Sequence, residues 1–157
     1  MPRPLHPNAA RVADTLIARG HHGLITTQST PVRTAEQAAA AVRVDVGAIV
    51  ESLVLLLDEE PILVLVSGAH RVSLERAGAR LAGTLTPAPD DLITEVTGQP
   101  PGGVAPLGHP TNLPTYVDSA LAGYPELWAS GGSLDTLFRT SYTELLRITA
   151  GVDLEVD

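Results

Sequence analysis

Apolar residues recur three and four positions apart at Ala9, Val12, Ala13, Leu16 and Ile17, which predicts a first helix with Asn8 as its N-cap and Gly20 closing it. Leu24–Thr27 reads as a short strand. In Thr34-Ala-Glu-Gln37 the threonine hydroxyl and the glutamine side chain are spaced as a capping box, opening a second, alanine-rich helix to Val42. Asp45 is placed to cap another short helical turn. The pattern then changes: Ser52–Leu57 and Pro61–Val66 are apolar runs of strand length, divided by the polar turn Asp58-Glu59-Glu60. Their lack of polar alternation predicts a hairpin covered on both faces, inside a sheet wrapped by helices.

Downstream, Ser73–Ala79 and Pro89–Val96 read as short helices, the second ended by Gly98. From Gly98 to Pro114 glycine and proline are too dense for helix or ladder. A loop of that length inside a compact chain favours function over mere connection. Strands are expected at Thr115–Asp118, Glu126–Ala129 and Leu134–Arg139. Ser141-Tyr-Thr-Glu144 is a second capping box, opening a helix to Thr149, and Val152–Val156 reads as a last strand.

Composition narrows the chemistry. A chain of 157 residues suits one domain, 1–157, with a core of its own. All ten basic residues besides histidine are arginine, against eighteen acids, for a net charge of −8. The absence of lysine excludes side-chain Schiff bases and a Walker A phosphate loop. The acidic balance argues against strong autonomous binding to a phosphate backbone, so a nucleic-acid substrate calls for a local basic face or a helper protein. Neither the apolar core of a signal peptide at the N-terminus nor a membrane-length apolar run is seen, and there is no cysteine, so a cytoplasmic location without membrane association is expected.

Four stretches together resemble the YbaK and prolyl-tRNA-synthetase-associated aminoacyl-tRNA editing family. Thr34-Ala-Glu-Gln-Ala-Ala is similar to its "T-x-E-x-A-A" helix, and Ile49-Val-Glu-Ser-Leu-Val to its "I-x-K-(T/S)-L-V" strand. Pro101-Gly-Gly-Val-Ala-Pro-Leu-Gly108 is similar to its "P-G-G-V-(S/P)-P-x-G" loop, and Ser130-Gly-Gly-Ser-Leu-Asp135 to its late glycine-rich turn. The resemblance implies an α+β fold, a mixed and partly barrel-like sheet of about six or seven strands with helices outside. It also implies hydrolysis of the ester between a misattached amino acid and the 3′ end of tRNA, with that 3′ end or an aminoacyl-tRNA synthetase as partner and no cofactor.

The resemblance also implies site residues. Gly102 and Gly103 are the candidates to place water or an oxyanion, because backbone amides in a glycine-rich loop approach a ligand closely. Glu51 stands where the resemblance implies a lysine. A carboxylate there repels an RNA phosphate, or, partly desolvated, serves as general base on a water; a chain that binds without catalysis is the other reading. Ser52 matches a small hydroxyl position. His70 and Arg71 match part of "G-D-H-R", with Ala69 in place of the acid, and for Arg71 a surface ion pair weighs equally with a phosphate or ribose contact. Ser130, Gly131 and Asp135 correspond to the lining of the amino-acid pocket.

Other chemistries fit less well. His6, His21, His22, His70 and His109 have no zincin spacing and no cysteine to join, so no metal site is expected. No Gly-x-Ser-x-Gly elbow is present. Trp128, Phe138 and Tyr142 read as core rather than a base-stacking platform.

Overall fold

The computed structural model describes residues 4–157; the first three residues of the proline-rich start lie outside that range. Five α-helices and eight strands follow one another in the described chain: α1 Pro7–Ala18, β1 Ile25–Thr27, α2 Ala35–Val42, β2 Ile49–Leu57, β3 Glu60–Ser67, α3 Leu74–Arg80, β4 Leu85–Pro87, α4 Asp90–Thr97, β5 Thr115–Asp118, β6 Leu127–Ser130, β7 Thr136–Thr140, α5 Tyr142–Thr149 and β8 Val152–Leu154. The strands form one mixed sheet in the order β1-β7-β6-β2-β3-β5-β8, with β4 added beside β2. The long hairpin β2–β3 is antiparallel, whereas β2–β6, β3–β5 and β5–β8 are parallel.

That hairpin explains its own sequence. Val50 and Val54 of β2 and Leu63 and Leu65 of β3 belong to one buried cluster, while Leu55, Ile62, Val64 and Val66 belong to another. Alternate residues therefore enter two separate cores, and the period of two disappears because both are apolar. Val12 and Leu16 of α1, Leu145 and Ile148 of α5 and Val104, Ala105 and Leu107 of the long loop pack in the first. Ala77 of α3 and Leu85 of β4 pack in the second. A third cluster joins Ala35, Ala38 and Ala39 of α2 to Ile49 and Leu137. Asp58 and Glu59 close the hairpin with positive φ of 49° and 71°, the left-handed pair that a two-residue turn requires.

Several boundaries differ from expectation for local reasons. The cap of α1 is His6, not Asn8, because Pro7 fixes φ for the first helical position and the His6 Nδ1 accepts the Asn8 N–H at 3.1 Å. Asp45 precedes the 3-10 turn Val46–Ala48, but its side chain makes no capping bond. The Thr34 hydroxyl caps α2 by accepting from the Gln37 N–H at 3.1 Å, as expected, while the Gln37 side chain reaches one residue farther back, to the Arg33 N–H at 2.8 Å. Ser141 caps α5, yet Glu144 turns to Arg147 instead of completing the box. Eight strands replace the six or seven expected; β4, held by pairing to Leu55–Leu57, is the unforeseen one. Among the described residues no helix is long and apolar enough to cross a membrane.

Candidate functional site

The site arises from an interruption in the pairing of β2. One edge of β2 is occupied by β3 from Val50 to Leu57. The other edge pairs with β6 only at Ile49 and Val50, and with β4 only at Leu55–Leu57. Glu51, Ser52, Leu53 and Val54 thus have no strand partner on that side. Since an extended strand directs alternate N–H and C=O groups to each edge, part of this backbone is left facing the gap.

A cavity of about 260 Å³ fills the gap. Its walls come from the start of α2 (Arg33, Thr34, Ala35, Ala38), from Ile49–Leu53, from Gly102 and Val104 of the long loop, and from Ser130, Ser133, Leu134, Thr136 and Leu137 around the β6–β7 turn. Side chains from both faces of β2 reach it past the open edge. Glu51 alternates with Ile49, on the α2 side, and Ser52 alternates with Val50 and Val54, on the side of the first core. The cavity is smaller than the usual range of ~300–1,000 Å³ for sites that hold drug-sized ligands.

Polar groups are few. The Ser52 Oγ is buried and makes no hydrogen bond with the described residues. Such an orphan hydroxyl costs free energy unless a ligand or water meets it. The Glu51 carboxyl is partly buried, and desolvation first, then the Glu36 carboxylate, push its pKa above the usual carboxyl range. The Ser130 hydroxyl donates to the Gly103 carbonyl at 3.1 Å and accepts from the Gly132 N–H at 3.1 Å, fixing the long loop against the end of β6. Gly102 adopts φ of +84°. Its N–H is not engaged by any other backbone group among the described residues, whereas the Gly103 N–H donates to the Pro100 carbonyl at 2.9 Å.

Of the residues singled out in the sequence, Glu51, Ser52, Gly102 and Ser130 line one cavity. Gly103 stands just behind its wall. Gly131 is a packing position: its N–H donates to the Thr136 carbonyl, and a Cβ there would come within 2.8 Å of Thr136 Oγ1. Asp135 accepts from the Ser133 hydroxyl at 2.9 Å and faces a second cavity of about 460 Å³, shared with His6, Gln28 and Pro100, across Leu134. His70 and Arg71 line neither cavity. The His70 ring lies just past the C-terminal end of β3, its Nδ1 3.3 Å from the buried Asp118 carboxylate. Arg33, Ser133 and Leu134 are lining residues that the sequence did not mark. Arg33 adjoins the Thr34 capping motif, a signal that points to a helix start and not to a site.

No group of three or more His, Cys, Asp or Glu able to hold a metal ion occurs among the described residues. Phe138 is fully buried, as its sequence setting suggested, with its ring edge-on to His21 at 5.6 Å between centroids. Trp128 and Tyr142 are only partly buried.

Known proteins share this fold. A crystal structure reported as a candidate trans-editing enzyme for prolyl tRNA synthetase superposes with a TM-score of 0.90 at 42% identity, covering 97% of this chain and 99% of that one. A crystal structure of a hypothetical protein superposes with a TM-score of 0.87 at 28% identity, covering 93% and 98%. The proline–tRNA ligase of Geobacter sp. is 30% identical over 110 residues, which is 69% of this chain and 19% of the ligase. That of Syntrophotalea carbinolica is 28% identical over 152 residues, 95% of this chain and 24% of the ligase. The chain thus spans about a fifth to a quarter of these curated relatives. Residues 29–148 match the model of the aminoacyl-tRNA editing domain, and the chain belongs to that family.

Proposed function

We propose that residues 1–157 act as one domain that hydrolyses the ester of a mischarged aminoacyl-tRNA. The observation that carries this reading is the cavity at the open edge of β2, which gathers Glu51, Ser52, Gly102 and Ser130 around a space the size of one aminoacyl group. In the proposed reaction the oxygen of a water attacks the ester carbonyl carbon, and the Glu51 carboxylate accepts the water's proton. A carboxyl group shifted toward neutrality by burial is better matched to that role than an ordinary glutamate. The Gly102 N–H donates to the developing oxyanion. Collapse of the tetrahedral intermediate breaks the bond to the ribose oxygen, which takes the proton back from Glu51 and leaves as a hydroxyl.

The partner called for is a tRNA 3′ end, delivered alone or with an aminoacyl-tRNA synthetase. The acidic charge of −8 makes autonomous tRNA binding weak, and the proline–tRNA ligases in which a similar segment occurs point to a prolyl-tRNA synthetase as helper. The test is release of amino acid from alanyl-, cysteinyl- and seryl-charged tRNAs by the purified chain. Hydrolysis no faster than buffer on the whole panel, with and without a prolyl-tRNA synthetase, sinks the reading.

A second reading, a binding module that holds an aminoacyl end without cleaving it, draws support from Gly103, whose N–H is already committed to Pro100 and is lost as an oxyanion donor. Glu51→Lys separates the two. Deacylation gained in that variant points to a lapsed enzyme, and wild-type deacylation destroyed by it points to the carboxylate mechanism.

A further inference from the structure

Two opposite charges line the cavity without neutralising each other. Glu51 lies on the strand wall and Arg33 at the exposed start of α2. No ion pair joins them, and none joins Arg33 to any other acid among the described residues. Desolvation first, then the Glu36 carboxylate, raise the Glu51 pKa. Arg33 is also the one basic side chain among the residues lining either cavity besides His6. Three other arginines have partners of their own, Arg80 with Glu155, Arg147 with Glu144, and Arg19 with the Ile148 carbonyl, whereas Arg43, Arg71, Arg76 and Arg139 line neither cavity.

The backbone at Arg33 is anchored. Its N–H donates to the Gln37 side chain at 2.8 Å, and the next residue, Thr34, is the N-cap of α2. The guanidinium therefore springs from a fixed point on the cavity wall while its head stays in solvent. A guanidinium so placed costs little to hold and is matched to phosphate oxygens in a two-pronged contact.

Resting on the reading given under Proposed function, we propose that Arg33 is the cation that receives the 3′-terminal phosphodiester of the tRNA while the aminoacyl group occupies the cavity. In a chain with no lysine and a net charge of −8, this one arginine supplies locally the positive charge that the molecule lacks globally. Specificity for an aminoacyl group on RNA, over the same group on a small ester, then resides at the cavity rim and not inside it.

The experiment is a binding titration at several salt concentrations with an amide-linked aminoacyl-tRNA, which cannot be deacylated, and with a phosphate-free amide-linked aminoacyl-adenosine. Arg33→Ala is expected to weaken the tRNA analogue roughly tenfold, the size of one charge-assisted contact. The slope of log affinity against log salt should become shallower by about 0.7, as for one lost contact to single-stranded phosphate. Arg33→Lys should recover most of the affinity, and Arg76→Ala, on α3 and outside both cavities, should match the wild type. The two analogues should respond differently to Arg33→Ala, the aminoacyl-adenosine showing no comparable loss. Equal weakening of both analogues, an unchanged salt slope, or no binding of the tRNA analogue by the wild type overturns the proposal. Tight, Arg33-dependent binding with no hydrolysis of the ester-linked tRNA would instead overturn only the catalytic reading.

Discussion

The Ser130 hydroxyl donates to the Gly103 carbonyl at 3.1 Å, joining two segments separated by twenty-seven positions in the chain. With the Gly132 N–H donating back to the same oxygen, Ser130 holds the glycine-rich loop at the distance from β6 that leaves the cavity open. Ser130→Ala removes both bonds. It is expected to lower stability by about 1–2 kcal/mol, the sum of two ordinary hydrogen bonds, and to reduce kcat/KM for deacylation. Urea denaturation and steady-state kinetics on the same preparation check this. A variant with wild-type values in both would show that the loop is held by packing alone.

Gly102 and Gly103 should fail differently when changed to alanine. At Gly102 the new Cβ has room, with Leu134 Cδ2 at 3.7 Å, but φ of +84° is unfavourable for alanine and costs about 1–2 kcal/mol. At Gly103 the Cβ would meet backbone, the Ser133 carbonyl carbon at 3.2 Å and the Leu134 nitrogen at 3.3 Å, as well as Pro100 Cγ at 3.1 Å. Gly103→Ala must therefore push the loop away from the β6–β7 turn. Gly102→Asn, a residue that tolerates positive φ, should recover stability relative to Gly102→Ala, with no analogous rescue at Gly103. Melting temperatures of the alanine and asparagine variants at both positions, four in all, decide it.

Burial first, and the Glu36 carboxylate second, shape the pH response of Glu51. Burial and the Glu36 carboxylate both raise the Glu51 pKa, so kcat/KM should climb with pH through a value above the ordinary glutamate range. Glu36→Gln removes the like charge and should move this acid limb to lower pH without abolishing it, whereas Glu51→Gln should abolish it. The same shift affects stability. Between the ordinary and the raised pKa the folded chain holds more protons than the unfolded one, so stability contributed at Glu51 declines as pH rises through that window. Denaturation followed across it should show a flatter profile for Glu51→Gln. An acid limb that stays in place in Glu36→Gln would remove the electrostatic account.

What was readable in the sequence is what local chemistry determines. The β2–β3 hairpin was visible because its apolar runs are long and its turn is polar, and the capping threonine and serine marked the starts of α2 and α5. β4 was not, because Leu85-Thr-Pro87 carries no strand signal of its own and becomes a strand only by lying beside Leu55–Leu57. The open edge of β2 was equally hidden. It exists because β6 leaves β2 after Val50 and β4 joins only at Leu55, pairings made by residues far apart in the chain. Motif resemblance brought Glu51, Ser52, Gly102 and Ser130 into view, but not Arg33, whose place on the rim follows from where α2 packs. It also marked His70 and Arg71, which are not among the residues lining either cavity; His70 lies beside Asp118.

Gln99 is the buried strut of the long loop, and two substitutions there should separate its hydrogen bond from its volume. Only 2% exposed, it accepts the Ala105 N–H on its side-chain oxygen at 2.7 Å, and Ala105 follows Val104 of the cavity wall. Gln99→Leu keeps much of the volume but leaves the buried Ala105 N–H unpaired, at a cost of about 1–3 kcal/mol. Gln99→Glu keeps an acceptor for that N–H but buries a charge, and the protein should respond by holding the new carboxyl protonated. Its pKa in the folded state would then lie above that in the unfolded state, so the penalty is absent below the unfolded pKa and grows as pH rises through the folded one. Urea denaturation should accordingly find Gln99→Leu weakened by a similar amount at pH 5 and pH 8, and Gln99→Glu closer to wild type at pH 5 than at pH 8. Amide exchange at residues 102–105 should quicken in Gln99→Leu at both pH values, because the loop backbone has lost its buried acceptor. Unchanged exchange there, with stability also unchanged, would mean that the apolar residues Val104, Ala105 and Leu107 hold the loop without Gln99.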